Sequence, residues 1–571
     1  MIRMQLQIYK NRGLEYVRIV ESYRDPENKK PKLRVIENFG NKERLLNSNP
    51  NALEELEHKV HKMNDEKAQL NSIELSKRLE LYLQSGDSQE SQQGALLKNY
   101  GFEIYKMIWN ELNLDYFFKY RQKQHTNIRF PTQVPISLMT YSRLLKPCSK
   151  RSTYEGKDDF AHSFACEQEH MYRSLSFLAE QKQNLETYLH KQISKTLHRQ
   201  LAVAFYDVTT YYFESVQADD MKKFGFSKDN KVNQVQVVMG LLIDEKGIPV
   251  SYDLFPGNTN DFRTLEPVLT RIKAEYGISK LIIVADRGLN SKKNLLFLKS
   301  LGFDYVMGYK IRSGSKQAKE IVLNPDGYTY TSPLFKWKTC DFVSSFRQEG
   351  QKHTIEDQLL ITWSHKRQEK DRKDRERIVA KSQRLVDSKS QMKAEMKKGG
   401  KKYVQLTLME EDQISFNDKQ LEIDEQFDGY YGLQYSDPSM TTEEILNAYH
   451  GLWKIEESFR ILKTNFEARP IFVWSEKSIQ GHFVICYLAL VIQRILEYKL
   501  KQKGVEASTE KIQDAIRSAT FSQINMENEQ IFIKNQESPL FSEILGALNL
   551  KKLSTYGRVH SQSRAYIQPE K

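Results

Sequence analysis

The 571-residue chain predicts an α/β core that is split by an insertion and flanked by smaller modules. Three observations predict it. The apolar run LAVAFYD ends in Asp207, a second run LIIVAD ends in Asp286, and a later amphipathic segment, Thr441 to Lys463, has Glu456 at its centre. Strand-like runs alternating with helical patterns are the signature of a layered α/β fold.

Residues 4 to 22 alternate apolar and polar about Asn11-Arg12-Gly13, a hairpin signal, and Leu33 to Phe39 offers a third strand. Residues 1–45 therefore read as a small basic β module. Residues 51 to 83 are rich in Glu, Lys and Leu without Pro or Gly, so a largely exposed helix is expected, and the polar stretch Ser85 to Gly94 reads as a linker closing a 46–95 segment. From 96 to 198 the pattern is helical, with helices expected at Phe102 to Leu112, Val134 to Leu145 and His170 to Leu197. The loop between the second and third carries Lys146, Lys150 and Arg151 beside two serines, a set suited to phosphates. A helical DNA-binding domain is expected here, with a helical packing domain of basic surface as the alternative.

Residues 199–308 form the first part of the core. After the Asp207 strand, Val232 to Ile243 and Pro249 to Phe255 flank Asp244-Glu245-Lys246-Gly247 as a hairpin; a helix (Leu265 to Tyr276), the Asp286 strand, a helix (Ser291 to Leu301) and a strand (Phe303 to Met307) follow. This order lets the first and fourth strands lie side by side and parallel, with ligands expected at their carboxyl ends. Residues 309–430 are too long for a loop and read as a β-rich insertion. Its strand-like runs, Tyr328 to Tyr330, Leu359 to Trp363 and Val404 to Met409, surround a charged helix from His365 to Leu385, expected as a solvated face, with a DNA contact as the alternative.

The second part of the core, 431–500, opens with Thr441 to Lys463. The spacing predicts one helix that starts at Thr442 under a Thr441/Glu444 capping box, and Pro470 stops anything that runs on. Ile445, Ala448, Leu452, Ile455, Phe459 and Leu462 line up as a buried stripe, and Tyr449, Glu456 and Lys463, seven apart, form a row along its flank. Glu456 is thus expected at the edge of the core, and Glu457 is expected to face water. Gly481 to Leu500 reads as a core helix, and 501–571 as a mostly helical C-terminal segment.

Three carboxylates brought to one point repel one another, and divalent cations between them are the usual remedy. Oxygen ligands without nearby Cys or His pairs favour Mg²⁺ or Mn²⁺ over Zn²⁺, and two such ions would clamp an in-line phosphoryl displacement. The four cysteines are far apart and form no CxxC pair, so neither a zinc site nor a disulfide framework is expected, and a reducing cytoplasm fits. The apolar run Phe483 to Ile492 is too short to cross a membrane, the N-terminus lacks the apolar stretch of a signal peptide, and the formal charge of +12 favours a polyanion such as nucleic acid.

YDVTT around Asp207, VADRG around Asp286, and Y-x6-E-x6-K within AYHGLWKIEESFRILK resemble the DDE transposases of bacterial insertion sequences, in the group with a YREK signature. The resemblance implies an RNase H-like catalytic core on which Asp207, Asp286 and Glu456 hold two Mg²⁺ or Mn²⁺ ions. It implies DNA-phosphate contacts by Tyr449 and Lys463, to which the neighbouring cations Arg287 and Arg460 are added, and a β-rich insertion covering the transposon end, with Trp337 or Trp363 stacking on a displaced base. Leu452 departs from the signature, which has an arginine there. The expected activity is cleavage of transposon ends and joining of their 3′-hydroxyls to target DNA, by a homodimer bound to double-stranded inverted repeats in the cytoplasm. An RNase H-like nuclease or resolvase, and a non-catalytic DNA-binding descendant, are the alternatives.

Overall fold

The computed structural model describes residues 3–24, 31–84, 96–124, 128–225, 233–348, 350–386, 404–407, 413–469, 471–526, 529–559 and 565–570. The expected linker at Ser85 to Gly94 and the stop at Pro470 lie outside the described residues, as do the first residue of the Val232 run and the end of the Val404 run.

In chain order, β1 (Arg3–Asn11), β2 (Leu14–Arg24), β3 (Pro31–Asn41), α1 (Lys42–Ser48), α2 (Ala52–Gln84) and β4 (Leu96–Asn99) come first. Helices α3 (Glu103–Glu111), α4 (Leu114–Gln122), α5 (Gln133–Leu145), α6 (Lys150–Glu155) and α7 (Gln168–Leu197) follow. Then come β5 (Val203–Tyr212), β6 (Gln236–Asp244), β7 (Pro249–Pro256), α8 (Leu265–Tyr276), β8 (Ile282–Ala285), α9 (Lys292–Ser300) and β9 (Asp304–Tyr309). The next stretch holds α10 (Lys316–Leu323), β10 (Thr329–Ser332), β11 (Phe335–Gln348), β12 (Gln351–Ser364), α11 (His365–Val386), β13 (Val404–Thr407), β14 (Gln413–Phe416), α12 (Asp418–Glu425) and β15 (Tyr430–Tyr435). The chain closes with α13 (Thr442–His450), α14 (Trp453–Arg460), a π-turn (Ile461–Asn465), α15 (Glu476–Gln502), α16 (Thr509–Ser518), β16 (Thr520–Met526), β17 (Glu529–Lys534), α17 (Pro539–Ala547), β18 (Leu550–Lys551), β19 (Tyr556–Arg558) and β20 (Gln568–Pro569).

Two compact units are present, the first made of Met1–Leu97, Phe521–Asn535 and Leu553–Ser561. In it β1 and β2 pair in register from Arg3↔Ser22 to Asn11↔Leu14, and the two-residue turn Arg12-Gly13 has positive φ at both positions, the geometry that matches strand twist. Helix α2 is part of this module. Asn64 donates to the Met4 carbonyl and accepts from the Met4 amide, at 2.9 Å each, and Ala52, Leu56, Val60 and Leu75 are buried. The C-terminal strands β16, β17 and β19 are antiparallel neighbours in the same unit. The segment expected to be mostly helical is therefore mixed: Phe521, Ile531 and Phe532 are buried in paired strands, which periodicity over so short a run leaves ambiguous.

The second unit, Lys98–Thr520, Gln536–Lys552 and Gln562–Lys571, is mixed α/β. Among the described residues, nine strands form one mixed sheet in the order β10-β11-β12-β15-β9-β8-β5-β6-β7. β5 and β8 are parallel neighbours, as the strand order predicts; β9 is parallel to β8, and the hairpin β6-β7 extends the β5 side. Helices α8 and α9 cover one face over a core of Val208, Leu269, Ile283, Leu298 and Tyr305. The insertion continues the same sheet instead of standing beside it: β12 pairs with β15, and β15 with β9.

Helix α15 is long and apolar enough to cross a membrane by length and composition, but 94% of its most apolar window is buried within the protein. It is a core helix, apolar on every side, packed on α7 and α5. Gly481 permits the crossing, since a Cβ there would lie 2.1 Å from the Leu175 carbonyl oxygen.

The expected single helix over 441–463 is two helices. Thr441 and Glu444 do form the capping box and α13 starts at Thr442, but the chain breaks at Gly451-Leu452 before α14. Both residues keep right-handed helical torsions, and Gly451 lies so close to the Phe205 ring that a Cβ there would stand 2.2 Å from a ring carbon. Gly451→Ala is expected to destabilise the unit by about 1–3 kcal/mol through overpacking. Denaturant unfolding measures this, and an unchanged midpoint would show that the contact does not constrain the packing.

Candidate active site

β5 lies inside the sheet between β6 and β8, and most of its residues are buried, Asp207 being its one carboxylate. Phe205, Asp207, Thr209 and Tyr211 share a face. The parallel ladder between β5 and β8 reaches Tyr206 and Ala285, so Asp286, one residue on, stands beside Asp207 at close to one inter-strand spacing, about 4.8 Å at the backbone. Asp207 is half-buried and Asp286 exposed.

The glutamate helix crosses that face. Gly451 meets Phe205, Lys454 Nζ lies 5.8 Å from the Phe205 ring, and Lys463 Nζ lies 5.6 Å from the Tyr211 ring. α14 and the π-turn therefore run along β5 past Asp207 and Thr209. A π-turn at such a place is common at functional sites, and here it carries Lys463. Tyr449, at the end of α13, donates its hydroxyl to Asp286 Oδ1 at 3.2 Å and also contacts the Tyr431 hydroxyl. Burial, then Tyr431 and Asp286, raise the Tyr449 phenol far above its ordinary pKa, so it stays a neutral donor. Gly308 leaves room for this approach, since a Cβ there would lie 2.8 Å from the Tyr449 oxygen.

The two adjacent glutamates are placed opposite to expectation in exposure. Glu456 is exposed, whereas Glu457 is half-buried and accepts from Arg494 of α15 at 3.0 Å. Arg494 also donates to Ser458 Oγ at 3.0 Å, so the Glu457 and Ser458 flank of α14 faces α15. Glu456 lies about 100° away round the helix, and the π-turn takes Lys463 off the seven-residue row expected with it. Leu452, at the position of the signature arginine, is buried and puts no cation here.

Among the described residues, no group of three His, Cys, Asp or Glu side chains stands close enough to hold a metal ion. Two aspartates side by side, with a glutamate on the helix laid over them, are nevertheless a hard-oxygen donor set of the kind Mg²⁺ and Mn²⁺ take.

Arg287, next to Asp286, lines a cavity of about 260 Å³ with Arg312, Arg367, Lys370 and Arg375, and with the acids Asp371 and Asp374. Arg367 also lies 4.4 Å over the Tyr431 ring. The helix expected as a solvated face thus turns cations toward the aspartates. Tyr431 and Arg367 escaped the sequence reading, because charge alone does not tell which face of α11 is inward. Arg460 is exposed and pairs with Glu457 at 3.4 Å; Lys146 and Arg151 are exposed and pair with Asp159 and Glu155.

Lys150 contradicts its assignment to phosphates. It is buried, with Nζ 3.2 Å from His482 Nδ1, because Ser149 caps α6 and turns the residue inward against α15. Trp337 and Trp363 are half-buried side chains of the β11-β12 ladder, and Trp363 packs so closely on Gly429 that a Cβ there would lie 2.5 Å from its Nε1. The exposed tryptophans are Trp453 and Trp474.

Residues 200–492 match the family model described as the transposase DDE domain, and residues 5–73 match that of the IS1634 family transposase N-terminal domain. Among solved structures, the chain is similar to piggyBac transposase in a synaptic complex with hairpin DNA, at 8% identity over 73% of this chain and 79% of that one, with a TM-score of 0.33. It is similar to Mos1 transposase in a paired-end complex, at 10% identity and a TM-score of 0.14 over 30% of this chain and 57% of that one. A pre-cleavage Mos1 transpososome gives 12% identity and a TM-score of 0.14 over 30% and 58%. No curated protein matches the chain.

Burial, and next the charge of Arg143, lower the Lys150 amine from 10.5 to about 7. An unfolded chain would therefore bind more protons between pH 7 and 10.5, and stability rises with pH wherever the unfolded state binds more. The thermal advantage of the native chain over Lys150→Met is expected to grow as pH rises through that window; an advantage that is flat or falling would contradict a buried, depressed amine.

Proposed function

The chain belongs to the DDE-domain transposases, and from that premise we propose that it cuts the ends of its own element and joins the freed 3′-hydroxyls to target DNA on an RNase H-like core. The observation that carries this reading is the pair Asp207 and Asp286 on neighbouring parallel strands, with the Glu456 helix laid along the same face. We assign Asp207, Asp286 and Glu456 as the residues that hold divalent cations, Mg²⁺ or Mn²⁺, two per site. When bound, such ions would neutralise the carboxylates and polarise a scissile phosphate.

The chain's own groups have separable tasks. Tyr449 donates to Asp286 Oδ1 and so would help to orient that carboxylate. Lys463, Arg287 and the cations of α11 would neutralise the phosphates of the strand being cut. Lys146 and Arg151 are exposed and suited to backbone contacts further along the duplex; their present carboxylate partners are surface pairs that phosphates can displace at small cost. The N-terminal module, residues 1–95, is assigned to end recognition. Because two ends must be joined and one site serves one end at a time, the working form is proposed to be a homodimer on DNA, acting in the cytoplasm at the nucleoid.

Asp207→Asn, Asp286→Asn and Glu456→Gln should each lower end cleavage and strand transfer together, by about a thousandfold or more, with folding and DNA affinity nearly unchanged. Glu457→Gln should keep cutting and lose about 1 kcal/mol of stability, because Arg494 loses one of its two carboxylate partners and keeps Glu497 at 2.8 Å. Gel assays of labelled end DNA in Mg²⁺, with melting curves beside them, check both. An active Glu456→Gln enzyme with an inactive, stable Glu457→Gln enzyme would move the third carboxylate to Glu457.

A further inference from the structure

Helix α4 presents an unusual face. Tyr116, Lys119, Tyr120 and Lys123 recur at i, i+3, i+4 and i+7, the spacing that normally marks a buried stripe, yet all four are exposed. The buried face of α4 is a different one, built on Leu114, Phe117 and Phe118. Tyr116 and Tyr120 are 58% and 51% exposed, and their rings stack on each other at 6.1 Å and 17°. Such exposure removes aromatic area from the core without any gain in folding.

The rings border a groove of about 790 Å³ whose charged lining residues are Lys119, Lys123 and Arg129, with no acid among its lining. None of the three cations has an ion-pair partner among the described residues. The opposite wall is held in place. Gln122 donates to the carbonyls of Ile128 and Phe130 and accepts from the Thr132 amide and hydroxyl, so the groove is pre-formed. Gln133 Oε1, on the same wall, is buried without a hydrogen-bond partner among the described residues.

We propose that this groove binds single-stranded DNA, its bases stacking on Tyr116 and Tyr120 and its phosphates lying on Lys119, Lys123 and Arg129. The proposal rests on the reading of the chain as a DNA-processing protein and adds a second nucleic-acid site, on a helix that contributes no carboxylate to the active site. Cations alone would serve a duplex equally well. The exposed aromatic faces decide for a single strand, because duplex bases are stacked on each other and offer no face from outside, whereas unpaired bases do. The strand would come from any step that unpairs the duplex at or beside a cleaved end.

The experiment uses the full chain and fluorescence anisotropy with a labelled oligothymidylate and a labelled duplex of equal length. Tyr116→Ala with Tyr120→Ala should weaken oligothymidylate binding by about a hundredfold and leave duplex affinity nearly unchanged, since stacking is lost at two bases. Tyr116→Phe with Tyr120→Phe keeps the rings and should bind as the native chain does. Lys119→Gln with Lys123→Gln should weaken binding and flatten its salt dependence; this pair and the Phe pair carry the test if the Ala pair fails to fold. Undiminished single-strand affinity in the Ala pair, an equal loss for duplex, or a Phe pair as weak as the Ala pair would overturn the proposal. A native chain that binds duplex but no single strand removes this site alone, while one that binds neither removes the DNA reading beneath it.

Discussion

The parallel ladder between β5 and β8 is the constraint on which the site depends. It sets Asp207 and Asp286 side by side on one face, where their charges repel, and it requires a crossover to bring β8 back in the same direction. The β6-β7 hairpin and α8 make that crossover, and α8 then covers the sheet's other face with the aliphatic core around Leu269 and Ile283. The carboxylate face is left for α13, α14 and α15. Tyr449 relieves part of the repulsion by donating to Asp286, and the remaining negative charge is what a divalent cation or a phosphate-bound cation would meet.

The insertion is a part of this arrangement and not an appendage. Because β15 joins β9 to β12, the long hairpin β11-β12 is continuous with the strands that carry the aspartates. Helix α11 returns from β12 and is clamped at the start of β15, where Arg312 and Arg375 both pair with buried Asp428 and Arg375 also pairs with Glu425 at 2.7 Å. A charged helix that looked solvated is thereby held rigidly with its cations near Arg287. A small core of its own, including Val322, Phe342, Leu359 and Phe427, stiffens the insertion.

Much of the core was legible because its signals are local. Two apolar runs leading into aspartates, a hairpin around Asp244 to Gly247 and the Thr441/Glu444 capping box are each contained in a few residues, and the structure holds them with one correction: β5 runs on to Tyr212 through its pairing with β6, so Asp207 lies mid-strand and not at the carboxyl end. What was hidden depends on residues far apart in sequence. Gly451 packs against Phe205, and Glu457 is drawn inward by Arg494, so a single helical wheel gave the two glutamates the wrong exposures. Lys150 reads as a surface cation in a basic loop, but α15 supplies a buried histidine for it. The continuous sheet was hidden for the same reason, since nothing local shows that residues 430–435 pair with both 306–309 and 358–363.

The central claim is that Asp207, Asp286 and Glu456 hold one metal site although they come from three separate stretches of chain. Replacing Mg²⁺ by Fe²⁺ in the presence of ascorbate and peroxide tests it directly, because hydroxyl radicals made at a bound iron cut the nearest backbone. Fragment masses should place the cuts around residues 207, 286 and 456 together, and excess Mg²⁺ should suppress all three in parallel. Cuts confined to the two aspartate strands, or clustered elsewhere in the chain, would contradict the claim.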